Sequence, residues 1–191
     1  MYESPWENGE MHGKGKCTKA NGDQYLGIWK ESSPSGEGRY TSADGNVYEG
    51  MWKDGKLHGE GKHTRPNENV YVGRWEDGQK NGFGQITWSN RREYVGSWKD
   101  DKEHREGLFR YMSGNVKVYR GACQDGKRHG QGRCAYVNGA VYEGGWKDDK
   151  EHGRGKCTYA NGSVYEGVWQ DRKEHGEGKL TYTNGNVYEG A

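Results

Sequence analysis

"VYEGMWKDGKLHGEGK" runs from Val47 to Lys62, and "VYEGGWKDDKEHGRGK", from Val141 to Lys156, repeats it with few changes. In the first copy Tyr48, Gly50 and Trp52 alternate, so on a β-strand they share one face while Glu49 and Met51 take the other. "KDGKLHG" is a turn segment, after which Gly59, Gly61, His63 and Arg65 alternate against Glu60, Lys62 and Thr64. The second copy puts Tyr142, Gly144, Trp146, Gly153 and Gly155 in the same slots. Working outward, the tyrosine of Y-x-G-x-W recurs at Tyr25, Tyr48, Tyr71, Tyr94, Tyr119, Tyr142, Tyr165 and Tyr188, in steps of 23 residues except for 25 between Tyr94 and Tyr119. One step before Tyr25 lies Tyr2, with Trp6 in the tryptophan slot. Residues 1–191 therefore read as a single array of eight repeats and a terminal half-repeat, "VYEGA", from Tyr188.

Four of the eight repeats close on Asn-Gly, at Asn21-Gly22, Asn138-Gly139, Asn161-Gly162 and Asn184-Gly185, with Asp44-Gly45 in the same slot, a strong short-range hairpin signal. No stretch shows a helical period. The expected fold is all-β: an elongated, twisted, single-layer antiparallel sheet of stacked hairpins. At two strands per repeat, about 10 Å, eight repeats would extend on the order of 80 Å. Each hairpin is marginal alone and gains stability from its neighbours. Apolar residues are only 29%, with 34 Gly, 8 Trp and 14 Tyr, so the surface available for burial is ring surface. Glycine lets a ring lie over the backbone where a Cβ would obstruct it, and the ring offsets the weakness of glycine in a strand.

A net charge of +1 gives no reason to expect nucleic acid as a partner. No run of 18 apolar residues occurs, so no transmembrane helix is expected. "MYESPWENGE" lacks the character of a secretory signal, and Cys17, Cys123, Cys134 and Cys157 read as reduced thiols of a cytoplasmic protein. Cys123 and Cys134 share a predicted face, close enough in sequence for a disulfide under oxidation or for service as small apolar side chains.

Y-x-G-x-W-x-x-G-K-x-H-G-x-G, as it stands from Tyr48 to Gly61, resembles the MORN repeat (membrane occupation and recognition nexus), and the resemblance covers essentially the whole chain. It implies a twisted single-sheet array acting as a scaffold at cytoskeletal, ciliary or axonemal and membrane-associated sites. It also implies protein binding along an aromatic groove, proposed lipid binding and, in some members, dimerisation through end repeats. Departures cluster. "HREG" puts Arg105 in a glycine slot, Cys123 replaces a tryptophan, and two extra residues precede Tyr119, which together predict a local bulge or bend.

No catalytic constellation emerges and no cofactor is expected. "GKGKCT" and "GRGKCT" lack the spacing and the Lys-Ser/Thr pair of a phosphate loop. His12, His58, His104, His129, His152 and His175 keep one register, but a step of about 10 Å is too long for neighbouring rows to share an ion. The candidate site is an aromatic column, Trp88, Tyr111, Tyr136, Tyr159 and Tyr182, replaced by Lys19, Ser42 and Arg65 in the first three repeats. Rings with polar tips either form core or line a groove for a protein segment. The leading expectation is thus a non-enzymatic protein-binding scaffold with a cytoskeletal or axonemal partner. The alternatives are an anionic-phospholipid module using Lys56, Lys62, Lys127, Lys150, Lys156 and Lys173, and a regulatory array of a larger enzyme.

Overall fold

Two-residue turns generate the hairpins. Asp54-Gly55 (φ 49° and 76°), Asp77-Gly78 and Asp125-Gly126 have both residues left-handed, as do Asp100-Asp101 and Asp148-Asp149. These are type I′ turns, whose twist matches that of paired strands. The K-D-G-K segment is therefore the tight hairpin turn. Asn-Gly does a different job: Gly22, at φ 94°, ends a longer loop closed by Gly22 N–H to Lys19 O and Lys19 N–H to Asp23 O. Asn21 has an ordinary negative φ, and its side-chain oxygen accepts from Asp23 N–H, which holds the loop open by more than two residues. Glu68 and Arg91 occupy the same left-handed slot at φ 64° and 63° without the freedom of glycine.

The computed structural model describes residues 2, 3 and 5–190, Tyr2 by its backbone alone. It divides into two compact units: residues 1–89 with 98–101, and residues 90–97 with 102–191. The first holds β1 (Tyr2–Glu3), β2 (Trp6–Glu7), β3 (Glu10–Met11), β4 (Gly13–Thr18), β5 (Gln24–Lys30), β6 (Ser33–Thr41), β7 (Val47–Lys53), β8 (Lys56–Thr64), β9 (Val70–Glu76) and β10 (Gln79–Thr87). Strand β11 (Glu93–Lys99) is shared out between the units at residue 97. The second continues with β12 (Lys102–Arg110), β13 (Val116–Gln124), β14 (Lys127–Tyr136), β15 (Val141–Lys147), β16 (Lys150–Thr158), β17 (Val164–Gln170), β18 (Lys173–Thr181) and β19 (Val187–Gly190). In the first unit β2 and β3 form a small separate hairpin, and β1 pairs β4, from which each strand to β10 is antiparallel to the next. In the second, β12 to β19 pair in sequence order the same way. The fold is all-β, an open antiparallel array of hairpins, as the alternation in sequence predicts.

Each hairpin carries an irregularity that the sequence pattern hides. Gly50 faces Gly61 and Trp52 faces Leu57, so Met51 alone opposes the three residues His58 to Glu60. Gly59, at φ 71°, is the pivot of this bulge, which bends the second strand. Arg105 takes the pivot role at φ 56°. The bulge expected near Arg105 is thus a feature of the repeats generally. The two extra residues before Tyr119 lengthen the loop instead: Tyr111 N–H reaches Lys117 O, whereas Tyr136 N–H reaches Ala140 O. A further register shift falls between Val116 and Val118.

Neighbouring turns are also joined. Gly55 N–H donates to Pro34 O and Gly78 N–H to Leu57 O in the first unit, and Asp149 N–H donates to Arg128 O in the second.

Candidate functional site

The repeated motif resolves into one packing unit. In the second unit the Tyr142 ring lies across Gly144 and Gly155, where a Cβ on Gly155 would stand 2.3 Å from Tyr142 Oη. Its hydroxyl donates to Gly145 O at 2.9 Å. Trp146 packs edge-on against Tyr142, with centroids 5.3 Å apart, and its Nε1–H donates to Gly132 O. Tyr94, Tyr119 and Tyr165 bond the carbonyl three residues on in the same way. Tyr25 and Tyr71 do so in the first unit. A ring needs two Cβ-free backbones beneath it, one on each of two paired strands, which is why Y-x-G is followed by the second glycine of G-x-G. Tyr94, Tyr119 and Tyr142 are fully buried, and burial pushes the Tyr142 hydroxyl up to about 12.

These rings floor a trough. Thr158, level with Ala135 through Val141, lies seven residues along β16 from Glu151, about 20 Å on a flat strand. Yet the Tyr136 hydroxyl donates to the Glu151 carboxylate. The strands therefore curl over the ring face, and their two ends meet above it. Tyr159 bonds Glu174 identically, and that bond, after burial, holds the Tyr159 hydroxyl far above the usual phenol range. Arg128 closes the next stretch, its guanidinium 4.3 Å from the Trp146 ring centroid and its Nε bonded to Asp149 at 3.1 Å. Arg92 lies over Phe109 and Tyr111, which stack on each other at 6.1 Å.

The four members of the sequence-derived column that lie in the second unit, Tyr111, Tyr136, Tyr159 and Tyr182, are found at this mouth, and Trp88 holds the corresponding place in the first unit. Trp88, Tyr111 and Tyr159 stand just beyond strand ends, Tyr136 is the last residue of β14, all four are half-buried, and Tyr182 is 45% exposed. In Tyr136 and Tyr159 the polar tips are engaged by the chain's own glutamates. The facing column was missed: Met11, Pro34, Leu57 and Lys80 in the first unit, Glu103, Arg128, Glu151 and Glu174 in the second. Its signal is the variable residue after the turn, x in K-x-H-G, hidden because the whole segment reads as turn.

The ring face of the first unit is more open. Where Tyr136 and Glu151 would stand, the first three repeats carry Lys19, Ser42 and Arg65 facing Pro34, Leu57 and Lys80, pairs that offer no hydroxyl-to-carboxylate bridge. The floor changes too. The Tyr48 ring leaves Gly50 and Gly61 and stacks on His63, centroids 3.9 Å apart and 13° from parallel. Trp75 leans over Gly61, and its Nε1–H finds no acceptor. Tyr40, Tyr48 and Trp52 are left half-buried, whereas Tyr25, Trp29 and Tyr71 are buried. The result is a cavity of about 550 Å³ lined by Trp29, Pro34, Tyr40, Tyr48, Trp52 and Leu57, with Lys19, Asp23 and Lys56 also on its wall. Tyr40 bonds the Asp23 carboxylate, the first cause of that carboxyl's lowered pKa; Ala43 N–H and Asn21 Nδ2 also bond it. Burial and the Asp23 bond push the Tyr40 hydroxyl up to about 12.

The opposite face is polar. Lys156 pairs with Glu166, Arg133 with Glu143 and Lys179 with Glu189. At the turns Lys127 reaches Asp148 and Lys150 reaches Asp171. Cys123 faces Arg128 whereas Cys134 faces Tyr119 and Tyr142, and both are buried free thiols. Burial raises them to about 12 and about 11. Among the described residues no group of three or more His, Cys, Asp or Glu is placed to hold a metal ion. "GKGKCT" and "GRGKCT" fall in β4 and β16. Among the described residues no helix is long and apolar enough to cross a membrane.

An open array of curled hairpins, with a ring-over-glycine unit recurring along it, defines a β-repeat protein. The MORN repeat family profile matches residues 2–24, 25–47, 48–70, 71–91, 94–116, 119–141, 142–164 and 165–187, and the chain belongs to that family. A search of curated protein sequences returned no match. Among solved structures, the chain is similar to the SAS-4 (dCPAP) TCP domain of Drosophila melanogaster in complex with a proline-rich motif of Ana2 (dSTIL). Identity is 12%, coverage 93% of this chain and 90% of that one, and the TM-score 0.49. The wild-type TCP10 domain of Danio rerio CPAP gives 13% identity, 93% and 88% coverage and a TM-score of 0.41.

Proposed function

We propose that the chain is a non-enzymatic scaffold that holds a segment of another protein in its aromatic trough, within a cytoskeletal or ciliary assembly. The observation that carries this is the open stretch of the first unit, where three half-buried rings surround a 550 Å³ cavity that the chain does not fill itself. A cavity of this size takes one or two large side chains, and partly exposed Tyr and Trp are the residues that dominate protein contacts. The cytoskeletal or ciliary placement rests on family membership alone. The lysines at the second unit's turns are largely matched by carboxylates, which favours a protein partner over an anionic membrane.

The test closes the trough with the chain's own device. Ser42 and Leu57 hold the positions that Tyr136 and Glu151 hold further along, so Ser42→Tyr with Leu57→Glu installs the same bridge over the cavity. Affinity capture from ciliary and cytoskeletal extract should recover a protein with the wild type that the double variant loses, while circular dichroism shows both folded. Equal recovery by both would move the interface elsewhere, with Tyr136→Ala/Tyr159→Ala as the next comparison.

A further inference from the structure

Resting on that reading, we infer that the cavity of the first unit recognises an acidic segment of a partner protein carrying a large apolar anchor. The argument is electrostatic. In the second unit the first lysine after each tight turn is held by the aspartate of the following turn: Lys102 by Asp125 at 3.1 Å, Lys127 by Asp148 at 3.7 Å and Lys150 by Asp171 at 3.1 Å. Lys56 occupies the same place, and Asp77 is its counterpart aspartate, but the two form no ion pair among the described residues. Lys56 lies on the cavity wall instead, as does Lys19. The one carboxylate on that wall, Asp23, is already engaged by Tyr40, Ala43 N–H and Asn21. Those donors are neutral and leave Asp23 its charge, which Lys19 also helps to hold, so the wall carries two cations against one anion and Lys56 is the cation left unmatched.

The floor decides the anchor. Elsewhere the chain lays its own cations on the rings: Lys80 over Tyr71 and Trp98, Arg128 over Tyr119 and Trp146. A partner's Lys or Arg could sit on Tyr40 and Trp52 by the same attraction. Lys19 and Lys56 oppose that, and the neighbouring Pro34, Leu57 and Met11 supply apolar walls. An aromatic or branched aliphatic side chain fits between them, with Asp or Glu alongside to meet Lys56.

A random-peptide display library selected on the full chain tests this. Selected peptides should carry a large apolar residue flanked by Asp or Glu. Lys56→Glu should weaken them roughly tenfold, and replacing their acidic residue with Lys should recover most of that loss. Basic or uncharged selected peptides, or affinity indifferent to Lys56→Glu, would overturn the acidic inference and leave the trough reading standing. Peptides that bind Leu57→Glu as well as wild type, or no selected peptide at all, would overturn both. Leu57→Glu is compatible with folding, because Glu103, Glu151 and Glu174 fill that slot in other repeats.

Discussion

At the scale of single residues, the most informative departure is His63. Its imidazole lies against Tyr48, and its Nε2 is 3.0 Å from Asn46 Oδ1. Burial, then the charges of Arg65 and Lys80, lower its pKa from 6.5 to about 4, with Asp101 opposing. The folded chain therefore binds this proton later than the unfolded chain does. Stability should be flat above about pH 6.5 and fall as pH drops toward 4, by up to about 3 kcal/mol. His63→Phe, which matches Phe109 in the same column, should remove most of that slope in urea unfolding between pH 7 and 4; an unchanged slope would assign it to other groups. The alternation of Tyr48, Gly50 and Trp52 was legible because a strand has period two. The displaced Tyr48 ring was not, because it depends on which residue faces it across the sheet. His63 faces Tyr48, where Cys157 faces Tyr142.

At the scale of the hairpin, turns and pairing were legible in outline, and curvature was not. Alternation specifies which face a residue takes, but says nothing about two strand ends meeting above it. That needs the bulge at Gly59 and its counterparts, and G-x-G in a sequence reads equally well as straight strand. The aromatic column was therefore found, whereas the glutamates that engage it were not. The two bridges should differ in strength. Glu151 is 9% exposed, so Tyr136→Phe leaves a buried carboxylate short of a donor and should cost about 1–3 kcal/mol. Glu174 is exposed, and Tyr159→Phe should cost about 1 kcal/mol or less. Comparing the two urea midpoints checks this; equal losses would mean that the bridges do not differ in burial.

At the scale of the whole molecule, eight repeats were countable from tyrosine spacing alone, because each packing unit is complete within a repeat and its neighbour. The irregular positions, Arg105, Cys123 and the lengthened loop before Tyr119, were visible as departures from the pattern. Their structural outcome, one loop lengthened and one shift between Val116 and Val118, follows from local backbone closure that no pattern encodes. If stability is a sum over repeats, removing residues 142–191 should lower the urea m-value in proportion to the strands lost, leaving a cooperative transition. A shortened chain without a cooperative transition would show that the remaining repeats depend on those removed.

The bonds of the repeat all point a short way along the chain. Tyr142 reaches three residues ahead, Trp146 fourteen residues back, and Gly78 N–H twenty-one residues back to Leu57. None waits for a distant segment. During synthesis each hairpin can therefore dock as it leaves the ribosome, using the repeat already made as its template. A stalled or truncated product would carry a finished array up to its last complete repeat.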